Sequence, residues 1–219
     1  VWFAWQTDRK KAMTDARTAL ARTAEAVSFS HAPVIQGLKG LAAFSGTDET
    51  VRGALPPDNK KILTALEVTR SIVGADLVYL MDATGKTVGC TPYGENSRKT
   101  LTGNNYAFRP YFSDIMSGKK NSVVYAALGI TTGKRGLYLS VPITGDASLL
   151  GVAVAKIGLH SIDQTMHADP MPVALLTPNK IVFATNHKKW LFKANPSLPE
   201  IRHREIISSR QFGDQPLDY

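Results

Sequence analysis

An arginine, two tyrosines and a proline lie together in residues 103–112, where they could bind an anion. Pro110 suits the first position of a helix, because its fixed φ matches helical geometry and its missing N–H is not needed there. Arg109 would then lie at a helix N-terminus, where free backbone N–H groups favour negative charge. The guanidinium matches the planar shape of a carboxylate or a phosphate. The alternative is a surface arginine paired with a local acid such as Asp114.

A lysine near the end of a predicted strand is the second candidate for anion binding. Side chains alternate along a strand, so in the predicted strand 149–157 Lys156 shares an apolar face with Val152. A buried ammonium group needs a partner, or it loses its proton. Tyr138 and Ser140 share one face of the preceding predicted strand, and a polar row opposite an inward lysine would line a pocket. The alternative is that Lys156 extends into water at the strand end.

Catalytic chemistry finds little support in the sequence. The histidines, which show no zinc-ligand spacing, are His31, His160, His167, His187 and His203. No Gly-x-Ser-x-Gly motif marks a nucleophile. Residues 129–134 look like a phosphate-binding loop, but this segment is one residue short and precedes a strand, which favours a hairpin turn. We therefore predict no catalytic residues, no metal site and no cofactor in this chain.

The composition is that of a globular protein with a basic surface. The chain has 219 residues, of which 43% are hydrophobic, enough for one large domain or two small ones. The net charge is +8, but the basic residues form only short clusters that are not interleaved with aromatic residues, which argues against nucleic-acid binding. A solvated surface that attracts acidic ligands fits better. The single cysteine, Cys90, excludes a disulfide within the chain.

The N-terminal region is predicted to be a long helix. Residues 1–5 include two tryptophans, which gather where a membrane helix meets water, so we interpret them as the flank of a transmembrane helix outside the given sequence. The alternative is a buried N-terminal anchor. Residues 8–44 carry a narrow stripe of small residues, which is typical of close packing against a neighbouring helix or a second copy. Pro33 should kink or interrupt this helix. A second helix is predicted at 59–72.

From residue 75 the hydrophobic pattern changes to that of strands. The predicted strands are 77–81, 86–90, 122–129, 136–143 and 149–157, the last three forming an antiparallel meander. A short helix is predicted at 160–166, and a further strand–turn–strand unit follows at 172–185. Its apolar pattern at 173–177 repeats that at 78–82, which indicates two tandem modules of one kind.

Several of these segments together resemble a known family. They are NYAFRPYF at 105–112, YAALGITTG at 125–133, GLYLS at 136–140 and GVAVAK at 151–156. They are similar to the periplasmic sensor region of C4-dicarboxylate sensor histidine kinases, which is a double Cache domain made of two tandem PAS-like modules. The segments IVFAT at 181–185, WLF at 190–192 and SRQF at 209–212 resemble its membrane-proximal module.

The resemblance implies an α+β fold, in which a long N-terminal helix packs on two tandem PAS-like modules with antiparallel sheets. The helix would span residues 1–46, the membrane-distal ligand-binding module 47–158, and a small or truncated membrane-proximal module 159–219. It also implies a homodimer through the N-terminal helix, with flanking transmembrane helices outside the given sequence. The parent protein would belong to the bacterial inner membrane, and this part of it would be periplasmic.

The resemblance further implies a binding site and a function. The positions that match the family's ligand-binding residues are Tyr106, Arg109, Thr131, Thr132, Ser140 and Lys156. Which of the two threonines faces the ligand stays open. The implied function is sensing of a small carboxylate, such as a C4-dicarboxylate, for a sensor histidine kinase. Diguanylate cyclases and chemoreceptors use similar domains, so their output is an alternative. Another alternative is an interaction module that binds no small molecule.

Overall fold

The computed structural model describes residues 11–15, 17–18, 21, 31–47, 60–94, 99–146, 148–194, 198–215 and 217. Residues 11–15, 17–18 and 21 are helical, as expected for the N-terminal helix. The aromatic start at 1–5 and the stretch 22–30, which precedes Pro33, lie outside the described residues. Across the ranges that are described, no helix combines the length and the apolar character needed to cross a bilayer.

Nearly every element predicted from residue 59 to residue 185 is present, with ends that differ by at most two residues. The helices are α1 (His31–Gly46), α2 (Lys60–Val73), α3 (Pro110–Met116), α4 (His160–His167) and α5 (Glu200–Ser208), with a 3-10 turn at Lys188–Trp190. The strands are β1 (Leu77–Asp82), β2 (Thr87–Cys90), β3 (Val123–Leu128), β4 (Arg135–Gly145), β5 (Ser148–Gly158), β6 (Ala174–Leu176) and β7 (Val182–Thr185).

The chain divides into two compact units, and their limits differ from the predicted modules. One unit combines His31–Gly158 with Arg204–Asp214, and the other contains Leu159–His203. The main range of the first unit ends at residue 158. However, α1 belongs to the first unit because it packs on β4, β5 and α2. Residues 204–214 also join the first unit, because Gln211 is hydrogen-bonded to the free edge of β3.

The first unit is built on a five-stranded antiparallel sheet in the order β2-β1-β5-β4-β3. Consecutive strands β3, β4 and β5 are neighbours, so the predicted meander is confirmed. Helices α1 and α2 pack on the sheet, and α3 packs on strands β3, β4 and β5. β1 is buried along nearly its whole length, as expected for a strand covered on both faces.

Strand pairing brings the predicted polar residues to one place on the sheet. Lys156 on β5 is directly opposite Tyr138 on β4 and Leu77 on β1. Two residues along β1, Tyr79 pairs with Val154. Because side chains alternate, Lys156, Tyr138 and Tyr79 project from the same face of the sheet. This face carries the aromatic core cluster that includes Tyr106 and Tyr111.

A glycine turn fixes the segment that leads to Arg109. Gly85 has φ +85°, and a Cβ atom at this position would come within 2.8 Å of three atoms of Ala107. Glycine is therefore required both by the backbone conformation and by the close approach of residue 107. The carbonyl of Gly85 accepts a hydrogen bond from the N–H of Tyr106 at 2.9 Å. The β1–β2 turn thus holds the start of the 106–112 segment against the sheet.

The second unit is smaller and contains a two-stranded antiparallel sheet, β6–β7. The predicted second strand–turn–strand unit is therefore present. Its buried apolar side chains are Leu159, Ile162, Met166, Val173, Ile181, Val182, Phe183, Ala184, Phe192 and Ala194. The side chain of Asn186 accepts from the N–H of Val173 at 2.9 Å and donates to the carbonyls of Asp169 and Met171. This amide holds the chain before β6 against the end of β7.

Candidate ligand-binding site

Arg109 lies at the N-cap of α3, with Pro110 in the first turn, as the sequence predicts. Its side chain, however, is buried and only 2% exposed. Asp114 pairs instead with Lys120, at 3.0 Å between Oδ2 and Nζ. The alternative of a surface arginine paired with Asp114 is therefore wrong. Because α3 has only seven residues, binding here depends on the guanidinium more than on the helix terminus.

The guanidinium of Arg109 is only partly satisfied. Nη2 donates to the carbonyl of Leu128 at 2.9 Å. Nη1 is buried and makes no hydrogen bond in the part of the chain that the structure describes. The cation also lies 5.5 Å from the ring centroid of Phe108. A buried charged donor without an acceptor is costly, and a carboxylate oxygen would satisfy it.

Tyr106 places a hydroxyl group beside this cation. The residue is 5% exposed, and its hydroxyl lies 2.8 Å from Oγ1 of Thr131. The same oxygen accepts a hydrogen bond from Nδ2 of Asn104 at 3.2 Å. Tyr106 and Arg109 both line one small cavity.

Lys156 is buried, 2% exposed, which rules out the alternative that it extends into water. Its Nζ donates to Oγ1 of Thr132 at 3.0 Å and to the carbonyl of Lys134 at 2.9 Å. The ammonium also lies 5.6 Å from the ring centroid of Tyr138. An ammonium has three N–H donors, so one donor remains for a ligand.

Burial lowers the pKa of Lys156 to about 8. Asp76 opposes this shift, whereas the charges of Lys134 and Arg109 add to it. The positive charge of Arg109 thus disfavours the charged form of Lys156, although burial is the larger cause of the lowered pKa. A bound anion would reverse it, because an opposite charge nearby favours the charged form of the amine.

The two threonines of the β3–β4 turn serve different partners. Thr131 contacts the Tyr106 hydroxyl, and Thr132 accepts from Lys156. The turn is closed by hydrogen bonds from the N–H of Gly129 to the carbonyl of Lys134 at 3.0 Å, and from the N–H of Gly133 to the carbonyl of Gly129 at 2.7 Å. The segment is therefore a hairpin turn, as predicted, and not a phosphate-binding loop.

Gly129 is where the polar groups of the turn come closest together. A Cβ atom at this position would clash with Oγ1 of Thr132, and it would lie 2.7 Å from the hydroxyl of Tyr138 and 3.3 Å from Nζ of Lys156. The absence of a side chain lets a hydroxyl, a phenol and an ammonium converge on one point. Such a convergence of donors suits an oxyanion.

Two neighbouring cavities flank this turn. The inner cavity has a volume of about 20 Å³, room for roughly one water molecule. Its polar lining residues are Tyr79, Tyr106, Arg109, Tyr111, Thr131, Thr132 and Tyr138. The outer cavity, of about 530 Å³, has Lys156 in its wall and shares Leu77, Thr131 and Thr132 with the inner one. The threonine turn therefore stands between Arg109, which lines the inner cavity, and Lys156, which lines the outer one.

Ser140 has a different role from the other five predicted site residues. It is fully buried, and its hydroxyl donates to the carbonyl of Tyr111 at 2.8 Å. It lines neither of the two cavities. Ser140 therefore ties α3 to β4, and it can influence the site only through the position of that helix.

Sequence reasoning missed a pair of tyrosines in the inner cavity. The hydroxyl of Tyr79 donates to that of Tyr111 at 2.9 Å, and Tyr111 stacks on Tyr138 with ring centroids 5.2 Å apart. Burial raises the pKa of each of these phenols, so all three stay neutral at physiological pH. The only signal for Tyr79 was its alternation with Leu77 and Met81 along β1.

A second feature that the sequence does not reveal is the segment that covers the edge of β3. The N–H of Leu128 donates to the carbonyl of Gln211 at 2.8 Å, and Nε2 of Gln211 donates to the carbonyl of Ala126 at 2.7 Å. The hydroxyl of Tyr125 donates to Oγ of Ser209 at 3.1 Å. Leu128 thus connects Arg109, through its carbonyl, with Gln211, through its N–H.

An antiparallel sheet with packed helices, and a small polar cavity lined by the buried cation Arg109, are features of a PAS-like, Cache-type sensor domain. The crystal structure of the sensor domain of the V. cholerae histidine kinase DctB has this fold. It matches with a TM-score of 0.73 and 26% identity, over 95% of this chain and 80% of that one. The predicted α+β, PAS-like fold is confirmed by this match.

The chain is homologous to C4-dicarboxylate sensor kinases. It is 30% identical over 188 residues to the C4-dicarboxylate transport sensor protein DctB of Rhizobium meliloti (strain 1021), which is 84% of this chain and 30% of that protein. The chain thus spans less than a third of the length of the curated relatives it matches. No protein-family model matches it.

The fold also extends to chemoreceptors. The ligand-binding domain of the Campylobacter jejuni chemoreceptor Tlp3, in complex with 4-methylisoleucine, matches with a TM-score of 0.62 over 87% of this chain and 73% of that one. The identity is 17%, so this likeness shows the fold alone.

Proposed function

We propose that this chain is the extracytoplasmic sensor region of a membrane-bound sensor histidine kinase, and that it binds a small carboxylate such as a C4-dicarboxylate. The observation that carries the proposal is the buried Nη1 of Arg109, which makes no hydrogen bond within the described residues. A carboxylate would satisfy it and would lower the repulsion between Arg109 and Lys156. The R. meliloti relative, whose name refers to C4-dicarboxylate transport, supports the same ligand class.

In the bound state, one carboxylate of the ligand accepts hydrogen bonds from Nη1 of Arg109 and from the hydroxyl of Tyr106. The second carboxylate accepts a hydrogen bond from Nζ of Lys156. The acid is far larger than the inner cavity of about 20 Å³, so the turn with Thr131 and Thr132 must move aside to admit it. Each charge-assisted hydrogen bond contributes about 1.5–3 kcal/mol. A few such bonds support binding near about 1 μM after the ordering costs.

The proposed signal begins at Leu128. Its carbonyl accepts from Arg109, and its N–H is bonded to Gln211 in the C-terminal part of the chain. A carboxylate that competes for the guanidinium would alter this connection and shift the balance between two conformations. In the parent protein, flanking transmembrane helices and a homodimer through the N-terminal helix would carry the change to the kinase.

Thermal unfolding in the presence of acids tests the proposal. Succinate, malate, fumarate and malonate are compared with the uncharged succinamide, on the unaltered protein and on Arg109→Met. At a ligand concentration 100 times Kd, binding stabilises by about 2.7 kcal/mol. For a domain of this size that raises Tm by about 5–10 °C. At least one acid should produce this shift, succinamide should produce none, and the Arg109→Met variant should show a much smaller shift.

The control is Arg202→Met, which removes an exposed arginine of the second unit. This variant should keep the full shift. If no acid raises Tm, or if Arg109→Met responds like the unaltered protein, the carboxylate-sensing function is wrong.

A second candidate is an interaction module whose pocket is filled by its own side chains. The inner cavity of about 20 Å³ favours it, because this volume holds no organic acid. The two candidates separate in the same experiment, since an interaction module gives no acid-dependent change in Tm.

A further inference from the structure

The outer cavity has a chemical character that the proposed carboxylate site does not explain. Its volume is about 530 Å³, and it is open to solvent beside the β3–β4 turn. Its charged lining residues are Arg70, Asp76, Lys99, Lys134 and Lys156. Four cations therefore face a single carboxylate, and the cavity is far larger than the inner one.

Two of these four positive charges are not balanced by an acidic residue among those described. Arg70 is paired with Glu67 at 2.8 Å, which leaves three lysines and Asp76. Lys99 and Lys134 are exposed and form no salt bridge within the described ranges. The charge of Lys134 contributes to the lowered pKa of Lys156, so these two ammonium groups repel each other. An anion of charge −2 between them would remove that repulsion.

The outer cavity also borders the route to Arg109. Thr131 and Thr132 line both cavities, and no other residues of the turn do so among those described. The hydroxyl of Thr132 is held by Lys156, and that of Thr131 contacts Tyr106. An anion in the outer cavity would therefore compete for Lys156, and it would release the turn that closes the inner cavity.

We propose that the outer cavity is an anion-capture site, in which Lys99 and Lys134 bind a divalent oxyanion before it passes Thr131 and Thr132 to reach Arg109. The shared chemistry of its ligands is two negative charges on oxygen, which a dicarboxylate and inorganic phosphate both offer. The passage to Arg109 rests on the proposed function, whereas binding in the outer cavity does not. Clusters of one sign in a cleft raise the association rate of an opposite charge, and this effect falls with ionic strength.

Binding to the outer cavity alone is measured on the Arg109→Met variant, in which the inner site is disabled. Backbone amide shifts are recorded by NMR during titration with inorganic phosphate, and separately with succinate and succinamide. Phosphate and succinate should both shift the amides of Lys99, Lys134 and Thr132, and succinamide should shift none. The additional substitutions Lys99→Gln and Lys134→Gln should abolish the shifts.

The capture role is measured by stopped-flow tyrosine fluorescence with succinate at about 20 mM and about 300 mM salt. At low salt, the association rate constant of succinate should be about 3–10 times lower for the Lys99→Gln/Lys134→Gln variant than for the unaltered protein. The dissociation rate constant should change by a smaller factor. At high salt the two association rates should converge, because the Debye length falls to a few ångströms. The matched control is Lys188→Gln/Lys189→Gln, two exposed lysines of the second unit, which should leave the association rate unchanged.

The results separate the two proposals. If Arg109→Met binds succinate as tightly as the unaltered protein does, and phosphate and succinate still shift the amide signals of Lys99 and Lys134, the carboxylate-sensing function at Arg109 fails and the outer anion site stands. If Arg109→Met shows no shift with either anion, or if Lys99→Gln/Lys134→Gln binds succinate at the unaltered rate at low salt, the capture site is wrong whatever the inner site does.

Discussion

The two strand–turn–strand units of this chain share a sequence pattern but differ in how their buried polar groups are satisfied. In the first unit, β1 lies inside a five-stranded sheet beside the buried cations Arg109 and Lys156. In the second unit, β6 and β7 form a sheet of two strands, and none of its described lysines or arginines is buried. The hydrophobic pattern alone therefore does not indicate which module binds a ligand.

Two polar side chains of the second unit, Thr185 and Asn186, are bonded internally. Thr185 donates to the carbonyl of Val173 at 2.7 Å, and the side chain of Asn186 makes three hydrogen bonds. In the first unit, Nη1 of Arg109 has no acceptor among the described residues. The internal bonding of Thr185 and Asn186 indicates a structural role, whereas the buried cation of Arg109, with one nitrogen unbonded among the described residues, indicates a ligand. The predictions that follow test this difference.

The largest expected effect is on ligand affinity. Lys156→Met should weaken succinate binding about 10- to 100-fold, because it removes one charge-assisted hydrogen bond of about 1.5–3 kcal/mol. The ligand-free variant should be at least as stable as the unaltered protein, because a buried ammonium no longer has to be desolvated. Titration calorimetry and Tm measure the two effects. Lys189→Met, an exposed site of the second unit, should change neither.

In the second unit, a substitution should lower the stability of the protein and leave its succinate affinity nearly unchanged. Asn186→Ala removes three hydrogen bonds and should lower the free energy of unfolding by about 2 kcal/mol, because buried backbone groups lose their partners. Urea unfolding measures this loss. Succinate affinity should stay within about twofold, and a larger change would mean that the two units do not divide stability and binding in this way.

A smaller effect is expected on the pH dependence. The pKa of Lys156 is about 8 in the folded protein and near 10.5 when unfolded, so the unfolded state holds more protons between these values. The stability of the ligand-free protein should therefore rise from pH 8 to pH 10.5 relative to Lys156→Met. Over the same range, succinate affinity should fall as the ammonium loses its proton. Equal pH profiles for the two proteins would show that Lys156 does not titrate there.

The smallest expected effect concerns the tyrosine pair. Tyr79→Phe removes the buried hydrogen bond to Tyr111 and should cost about 1 kcal/mol of unfolding free energy. Because the cations of the site remain, succinate affinity should fall far less than in Lys156→Met. Urea unfolding and titration calorimetry provide the two numbers. A loss of affinity as large as that of Lys156→Met would place the tyrosine pair in direct contact with the ligand.

Local patterns were enough to predict most of the elements and the apolar face of the strand that carries Lys156, but not whether the lysine is buried. The start of α3 follows from Pro110, whose ring fits only the first turn of a helix. The shared face of Lys156 and Tyr138 follows from alternation along two strands, and the register confirms it. Resemblance to the sensor family placed Tyr106 and Arg109 in the same site, and both line the inner cavity. Their role in binding stays a prediction.

Other features of the site depend on residues far apart in the chain. The separate partners of Thr131 and Thr132 follow from how the β3–β4 turn lies between Tyr106 and Lys156. The hydroxyl of Ser140 donates to the carbonyl of Tyr111, 29 residues away, and this bond gives Ser140 a structural role. The edge of β3 is covered by Gln211, 85 residues from Ala126. No periodicity encodes such contacts, because they form only when the sheet and its connections are assembled.

The amino-acid sequence by itself determined the strands, the short helix after Arg109 and the shared strand face of Lys156 and Val152, because each depends on neighbours within a few residues. Tertiary structure decided that Lys156 is buried, that one nitrogen of Arg109 has no acceptor among the described residues, and that Gln211 completes the sheet edge. It also decided that two threonines divide the inner cavity from the outer one. These features depend on contacts between residues that are far apart in the sequence, and such contacts are determined only by the packing of the folded chain.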